Sequence, residues 1–507
     1  MGNLRETNPS LWVTTTTAES TFLPLDVGNS GAPRVDVAVI GAGITGVVTA
    51  ALLKASGATV ALLEADEICS GVTGYTTAKI TSLHGLKYDS LTKSHGEDAA
   101  RAYGEANQAG LEQIASLVAA HGIECDFSRR DAFTYTEQPA QADAIAAEVE
   151  AAQRIGLPAS FTTETDLPYG IEGAVRFADQ AQFHPRQFCL GLADALAGDG
   201  SLVVERTRVT GVKEGSPCVV QTEHGEVHAD QVVLATHLPF LDRGGFFAKC
   251  HPMRSYALAA RLAGPVPNGM YLSVDTPGRS VRSAQGDQVV ILGGESHKVG
   301  QDDDTRQRYA DLEEWSLDRF DVVEQTHRWS AQDLMSVDAL PFVGRQLPGS
   351  KVFVATGFQK WGMSNGAAAG LIISDLIAGV ANPWAPTFDA TRQRSTLGRD
   401  LLKENANVGL RFVTDRVARM RAPSVDTLEP GTGAVVNIDG DRVAAYRRDD
   451  GSVCAVSAVC THLKCIVAFN TAEKTWDCPC HGSRFTVEGK VIEGPALDDL
   501  APHEAKS

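Results

Sequence analysis

The sequence contains no apolar run approaching the ~20 residues that a membrane-spanning helix needs. It also lacks a surplus of positive charge: 45 Lys and Arg stand against 63 Asp and Glu, for a formal net charge of −18. Such a balance argues against nucleic acid or an anionic membrane as a partner. The first twenty residues, MGNLRETNPSLWVTTTTAES, have no apolar h-region. No secretory leader and no transmembrane anchor are therefore expected, and the expected location is cytoplasmic. There is no internal repeat and no extended low-complexity tract. Over most of the chain cysteine is sparse. Cys69, Cys125, Cys189, Cys218 and Cys250 are scattered without near partners, as ordinary buried thiols are. At 507 residues, 43% hydrophobic and 21% charged, the chain can build more than one domain.

One segment near the start does have a strong pattern. VDVAVI, residues 35–40, reads as a buried parallel strand; a glycine turn follows, then the helical stretch TGVVTAALLKASG, then a second strand, TVALLEA. This is a βαβ unit. VIGAGITG supplies G-x-G-x-x-G as Gly41, Gly43 and Gly46, with Thr45 inside the motif. The first glycine permits the tight turn, the second lets backbone approach a pyrophosphate, and the third lets helix pack on strand. The helix N-terminus then faces the anion. Glu64, at the end of the next strand, can accept hydrogen bonds from ribose hydroxyls. No second such motif follows a strand, so FAD is expected as the resident dinucleotide, with reductant coming from a substrate.

Further along, SYALAARL, GMYLSVD and GDQVVILGGESH read as a separate antiparallel sheet, whereas KVFVATGF is another buried strand followed by the helix NGAAAGLIISDLIAG. The nucleotide-binding segments are thus interleaved with a second, substrate-type domain. Prolines and a basic helix-like run over about 396–420 read as a connector. Beyond it, GAVVNIDGDRVAAYRRDDGSVCAVSAVC is a series of short strands with Asp-Gly turns, a small all-β module.

That module carries the remaining five of the ten cysteines, all between 454 and 480. Clustering of this kind suggests metal before disulfides. Cys460 and His462 form C-x-H, Cys478 and His481 form C-x-x-H, and fifteen residues separate the pairs. Two thiolates and two imidazoles suit a [2Fe-2S] cluster with both histidines on one iron. Zinc is the rival, since Cys₂His₂ also satisfies tetrahedral zinc. The order Cys, His, Cys, His, with Cys465 and Cys480 beside the ligands, differs from the zinc-finger order.

VDVAVIGAGITGVVTAALLKASGATVALLEA, ADQVVLATH and VFVATGFQKWGMSNGAAAGLIISDLI together resemble the FAD-dependent oxidoreductases of the D-amino-acid oxidase type, over roughly 35–380. The resemblance implies that Thr76, Thr77 and Lys79, after the acidic residue, lie along the pyrophosphate and flavin. It implies that the Val209 backbone lies near adenine, that Ala235 and Thr236 close over the nucleotide, and that Gly357, Gly362 and Met363 lie beside the isoalloxazine. The substrate site would be lined by the antiparallel sheet, with Lys79, Tyr256, Arg282, His297 and Trp361 as candidate substrate or catalytic residues. No Cys or His occurs in 357–365, which argues against a covalent flavin there.

CTHLKC…CPCHGS resembles the Rieske proteins of quinol–cytochrome complexes. The resemblance implies a Cys465–Cys480 disulfide clamping the cluster loops, and a Ser483 hydrogen bond to a cluster sulfur. Two residues on, where the family often has a tyrosine that donates to a ligand thiolate, this chain has Phe485. Losing that donor implies a lower reduction potential than in those relatives. Lys464 replaces a usual glycine.

The resulting architecture is α/β: a Rossmann-like FAD-binding domain interleaved with an antiparallel-sheet substrate domain, plus a C-terminal all-β Rieske domain. The expected boundaries are 1–34 for an N-terminal extension, 35–380 for the oxidoreductase, 381–424 for a helical linker and 425–507 for the Rieske domain. The expected chemistry is oxidation of an amine or amino acid by FAD, with electrons passing to the cluster and on to an external acceptor. Two alternatives stay open: a reductase driven by NAD(P)H or another carrier, and a redox-sensing module without turnover.

Overall fold

Strand Arg34–Ile40 begins with alternating exposed and buried side chains and ends in four buried ones; strand Val60–Leu63 is buried throughout. Strands covered on both faces belong to a parallel sheet flanked by helices. The computed structural model describes residues 8–16, 21–28, 31–302, 304–392, 424–438 and 440–503. In it these strands lie inside a sheet ordered Phe342–Arg345, Val352–Thr356, Gly225–Leu234, Arg34–Ile40, Val60–Leu63, Leu202–Val204. All neighbours in that path are parallel except the outermost, Phe342–Arg345. Helices Ile44–Ala55 and Gly362–Ala378 pack on one another. Both are buried over most of their surface, which explains why their sequences are apolar nearly all round.

The second sheet has nine strands, running from Val322–Ser336 through Cys250–Leu262, Val289–Lys298, Arg279–Ala284, Met270–Ser273, Ser128–Thr136 and Gly173–Gln182 to Lys79–Ile80, with Ala159–Thr162 pairing beside Gly173–Gln182. Its pairs are antiparallel save one: Met270–Ser273 runs parallel to Ser128–Thr136. Its strands come from both sides of the Gly225–Leu234 strand in sequence, so the chain passes repeatedly between the two sheets, as the interleaving of motifs requires.

The N-terminal segment is a strap. Ser10 caps the short helix Leu11–Thr15. Leu11 and Trp12 are buried in the main core. The Trp12 indole donates to the Thr76 carbonyl at 2.6 Å, so residues before the first strand fasten the loop that follows the acidic residue. Of the expected connector, residues up to 392 are described: Arg392 ends in a buried ion pair with Asp338 at 2.8 Å. The basic stretch around 396–420 lies outside the described residues. No helix among the described residues is long and apolar enough to cross a membrane.

The C-terminal module consists of two small antiparallel sheets. One pairs Thr432–Ile438, Asp441–Arg447 and Val453–Ser457; the other pairs Ala468–Asn470, Thr475–Asp477, Arg484–Phe485 and Val491–Glu493. Trp476, Phe485 and Tyr446 fill its core together with the cysteines. The module is bonded to the oxidoreductase at buried positions. Arg254 pairs with Asp477 at 3.2 Å, Thr305 donates to Asn470 at 2.8 Å, and Tyr309 donates to Glu473 at 2.7 Å.

Candidate functional site

The turn after the first strand is held open by backbone. The Gly41 N–H donates to Leu63 O at 2.8 Å, and the Ala42 N–H donates to the Glu64 carboxylate at 2.7 Å. Gly43 caps helix Ile44–Ala55 without a side chain of its own, and the Ile44 N–H donates to Thr73 Oγ1 at 3.1 Å. This turn is one end of a cavity of about 490 Å³ between the two sheets. Gly41, Gly43, Thr45, Glu64, Thr76, Thr77, Val209, Ala235, Thr236, Gly362 and Met363 all line it. Gly46 does not, because it faces the turn itself: a Cβ there would lie 1.8 Å from Gly41 O. The donor set fits a dinucleotide. A glycine turn and helix start offer N–H groups to phosphate. Glu64 keeps lone pairs for hydroxyls even with the Ala42 and Asp66 amides on it. Burial raises the Glu64 pKa, although those two amides oppose the shift.

At the other end, the expected substrate residues divide. Lys79, Tyr256 and Trp361 line the cavity. The Lys79 ammonium donates to Tyr271 O at 2.5 Å and to Ser280 Oγ at 2.6 Å. Burial, aided by nearby Arg282, pushes its pKa down to about 7. The Trp361 ring stacks on His84, centroids 4.4 Å apart. Arg282, His297 and Gly357 lie outside the lining, which corrects their expected place. The Arg282 guanidinium is consumed by the carbonyls of Thr77, Ala78, Phe183 and Ser283 and lies over the Trp12 ring. It fastens the loop from behind. His297 stands behind Tyr256, bonded to its hydroxyl at 3.0 Å. Gly357, at φ +75°, faces Ser336, Cys250 and Phe342.

Sequence reading missed several polar residues in this wall. Gln332, Asp333 and Lys360 line the cavity, and so do Arg484 and 492–497 of the C-terminal module. Lys360 donates to Ser255 and Ser296 at 3.0 and 2.6 Å. Enclosure lowers its pKa and raises that of Asp333. The only sequence signal was the adjacent polar pair Gln332 and Asp333 within the mixed strand RWSAQDLMS.

The four expected metal ligands lie in two pairs, Cys460 hydrogen-bonded to Cys478 and the His462 ring against that of His481. Cys460 and Cys478 are buried thiols, whereas Cys465 and Cys480 are joined in a disulfide. The Cys478 sulfur lies within 4.8 Å of both disulfide sulfurs; because those two are bonded to each other, this trio is not the ligand set. The rings of His462 and His481 stand 5.1 Å apart. The Nδ1 atom of each is buried and has no hydrogen-bond partner among the described residues. Two orphaned ring nitrogens beside two thiols are what a mixed Cys/His cluster site leaves when described without its metal. Burial lowers the pKa of both imidazoles, that of His481 to about 3. The Cys460 thiol is lowered to about 7, chiefly by its hydrogen bond with Cys478 and then by the His462 amide, Ser483 and the Leu463 amide. Neutral imidazole and thiolate are the ligating forms.

Lys464 adopts φ +62°, the backbone region that explains the usual glycine. Phe485 is fully buried among the cysteines. Phe485→Tyr is expected to raise the cluster midpoint by roughly 60 mV, equivalent to about 1.4 kcal/mol for one electron. Protein-film voltammetry giving an unchanged or lower midpoint would contradict this.

A dinucleotide cavity between a parallel sheet and a curled second sheet, with an iron–sulfur-type ligand set alongside, defines a flavin oxidoreductase fused to an iron–sulfur module. Residues 36–376 match the family of FAD dependent oxidoreductases, and 418–504 match the Rieske [2Fe-2S] domain. The chain belongs to that oxidoreductase family and carries a C-terminal Rieske domain. It is 35% identical to the Bacillus subtilis Rieske 2Fe-2S iron-sulfur protein YhfW over 471 residues, 92% of each chain. Gamma-glutamylputrescine oxidoreductase of Escherichia coli is 24% identical over 384 residues, 73% of this chain and 88% of that one. Glycine oxidase from Geobacillus kaustophilus shares the fold, with TM-score 0.60 and 19% identity over 72% of this chain and all of that one.

Proposed function

We propose that the protein is a dehydrogenase of a C–N bond in an amine or amino acid, passing electrons from FAD to the Rieske cluster and then to an external acceptor. The observation that carries this reading is the shared wall: residues of the Rieske domain and of the glycine turn line one cavity. FAD supplies hydride acceptance and can release electrons singly. The glycine turn and Glu64 would hold its nucleotide; Gly362 and Met363, at a helix start, would face its ring. Cys460, Cys478, His462 and His481 would hold the cluster. Tyr256, Lys79 and Trp361 shape the chamber in which a neutral amine must sit. The relatives named for gamma-glutamylputrescine and glycine act, by their names, on nitrogen compounds.

The test is anaerobic mixing of holoprotein with amines, amino acids and 2-hydroxy acids, recording flavin absorbance and EPR together. Bleaching by a nitrogen compound, followed by growth of a low-average-g cluster signal, is expected. Rapid bleaching by NADH or NADPH would favour a reductase instead. A bleached flavin with a cluster that stays oxidised would favour a sensing module.

A further inference from the structure

Oxidation of one neutral amine breaks a C–H bond, delivers a hydride to the flavin and leaves an iminium ion. A hydride is two electrons and one proton. On the reading above, on which this inference rests, the two electrons leave singly through the cluster to a one-electron carrier outside the protein. The proton needs a separate way out of the cavity.

One place in the cavity wall provides it. Glu493, from the Rieske domain, places Oε1 at 3.1 Å from Nδ1 of His237, from the flavin domain, and 3.4 Å from the Gln332 amide nitrogen. All three residues line the cavity. The Glu493 and His237 side chains are 18% and 24% exposed, so the pair is largely enclosed yet keeps accessible surface. Beside it Asp333 also lines the cavity, and its carboxylate takes no hydrogen bond among the described residues. A carboxylate without a fixed donor is free to take up and release a proton. Arg484, the other charged Rieske residue in this wall, is committed to Asp477 at 3.3 Å.

We propose that Glu493 and His237 form the proton exit of the flavin cavity, with Asp333 as its inner station. The pair straddles the boundary that the electrons cross, so proton release and electron transfer share one wall. Burial raises the Asp333 pKa toward the range in which it can exchange protons. The charged groups facing it are Lys360, His237, Glu493 and Arg254; Glu493 also faces Arg484. Flavin-to-cluster transfer should therefore rise with pH as Asp333 loses its proton.

The experiment uses holoprotein, with flavin photoreduced anaerobically by EDTA and light, so no substrate need be known. Cluster reduction is followed by EPR across a pH series. Wild type should reduce its cluster with that pH dependence and with a solvent deuterium effect. Glu493→Gln and His237→Asn should slow the transfer on the order of 100-fold and flatten the profile. Asparagine suits position 237 because His237 sits at φ +63°. The cluster midpoint should stay unchanged. A protonated-carboxyl band in reduced-minus-oxidised infrared spectra should disappear in Glu493→Gln. Variants with the wild-type rate and pH profile would overturn the proposal while leaving the electron path intact. Slow variants with a shifted midpoint would overturn it in favour of a docking role. A wild-type cluster that photoreduced flavin never reduces would overturn both readings.

Discussion

Arg254→Met is expected to lower unfolding stability by about 3–5 kcal/mol, as loss of one partner from a buried ion pair does. Arg254 is 0% exposed and Asp477 3%. The guanidinium also bonds Ser330 at 2.9 Å and Gln332 at 3.3 Å, so the substitution strands several groups together. The change falls on the seam between the oxidoreductase and the Rieske domain. Chemical denaturation, read separately by flavin release and by cluster absorbance, should show the cluster transition moving first. Asp477→Asn added to Arg254→Met should deepen the loss, because Asp477 still pairs with buried Arg484 at 3.3 Å and its neutralisation strands that guanidinium. A single variant within about 0.5 kcal/mol of wild type would contradict the expectation.

The same pair fixes an acid limit. Burial alone would raise the Asp477 pKa, but Arg254 and Arg484, followed by Asn470 and Thr475, outweigh it and hold the carboxyl at about 2, below its ordinary 3.8. A carboxyl depressed by folding stabilises the folded state above its unfolded pKa. That contribution, about 2 kcal/mol, fades as pH falls from roughly 4 to 2. In Arg254→Met the acid-dependent loss over this window should shrink.

Gly46→Ala should yield protein without bound flavin. Its Cβ would meet the Gly41 carbonyl oxygen at 1.8 Å, backbone against backbone, so the turn and helix must separate. The cost is at least about 3 kcal/mol, and the phosphate cradle is lost with it. Gly170→Ala, where an added Cβ meets nothing within 4 Å, is the control and should be silent. Flavin absorbance per mole of protein decides the matter, and normal occupancy in Gly46→Ala would contradict it.

The glycine turn, Glu64, the two sheets and the Cys/His set were legible in the sequence because each is fixed by local pattern. Gly41, Gly43 and Gly46 answer steric demands within one turn, and the cluster ligands lie in two short segments. The chamber beyond them was not legible. Asp333, Lys360 and Glu493 come from different strands and loops and meet only through sheet order, beside the anticipated Tyr256. Arg282 was misplaced for a related reason. A buried arginine beside a cavity can point into it or clasp the backbone behind it, and only the fold decides, here through four carbonyls. The N-terminal strap was read as an extension because nothing local announces that Trp12 will be buried 64 positions from the loop it clasps.

Because Arg254, Thr305 and Tyr309 each grip the Rieske domain at buried positions, its cluster loops keep a constant spacing from the flavin cavity. On the proposed electron path, the tunnelling gap would then be set by packing and not by a diffusive search. Added viscosity should leave internal transfer untouched.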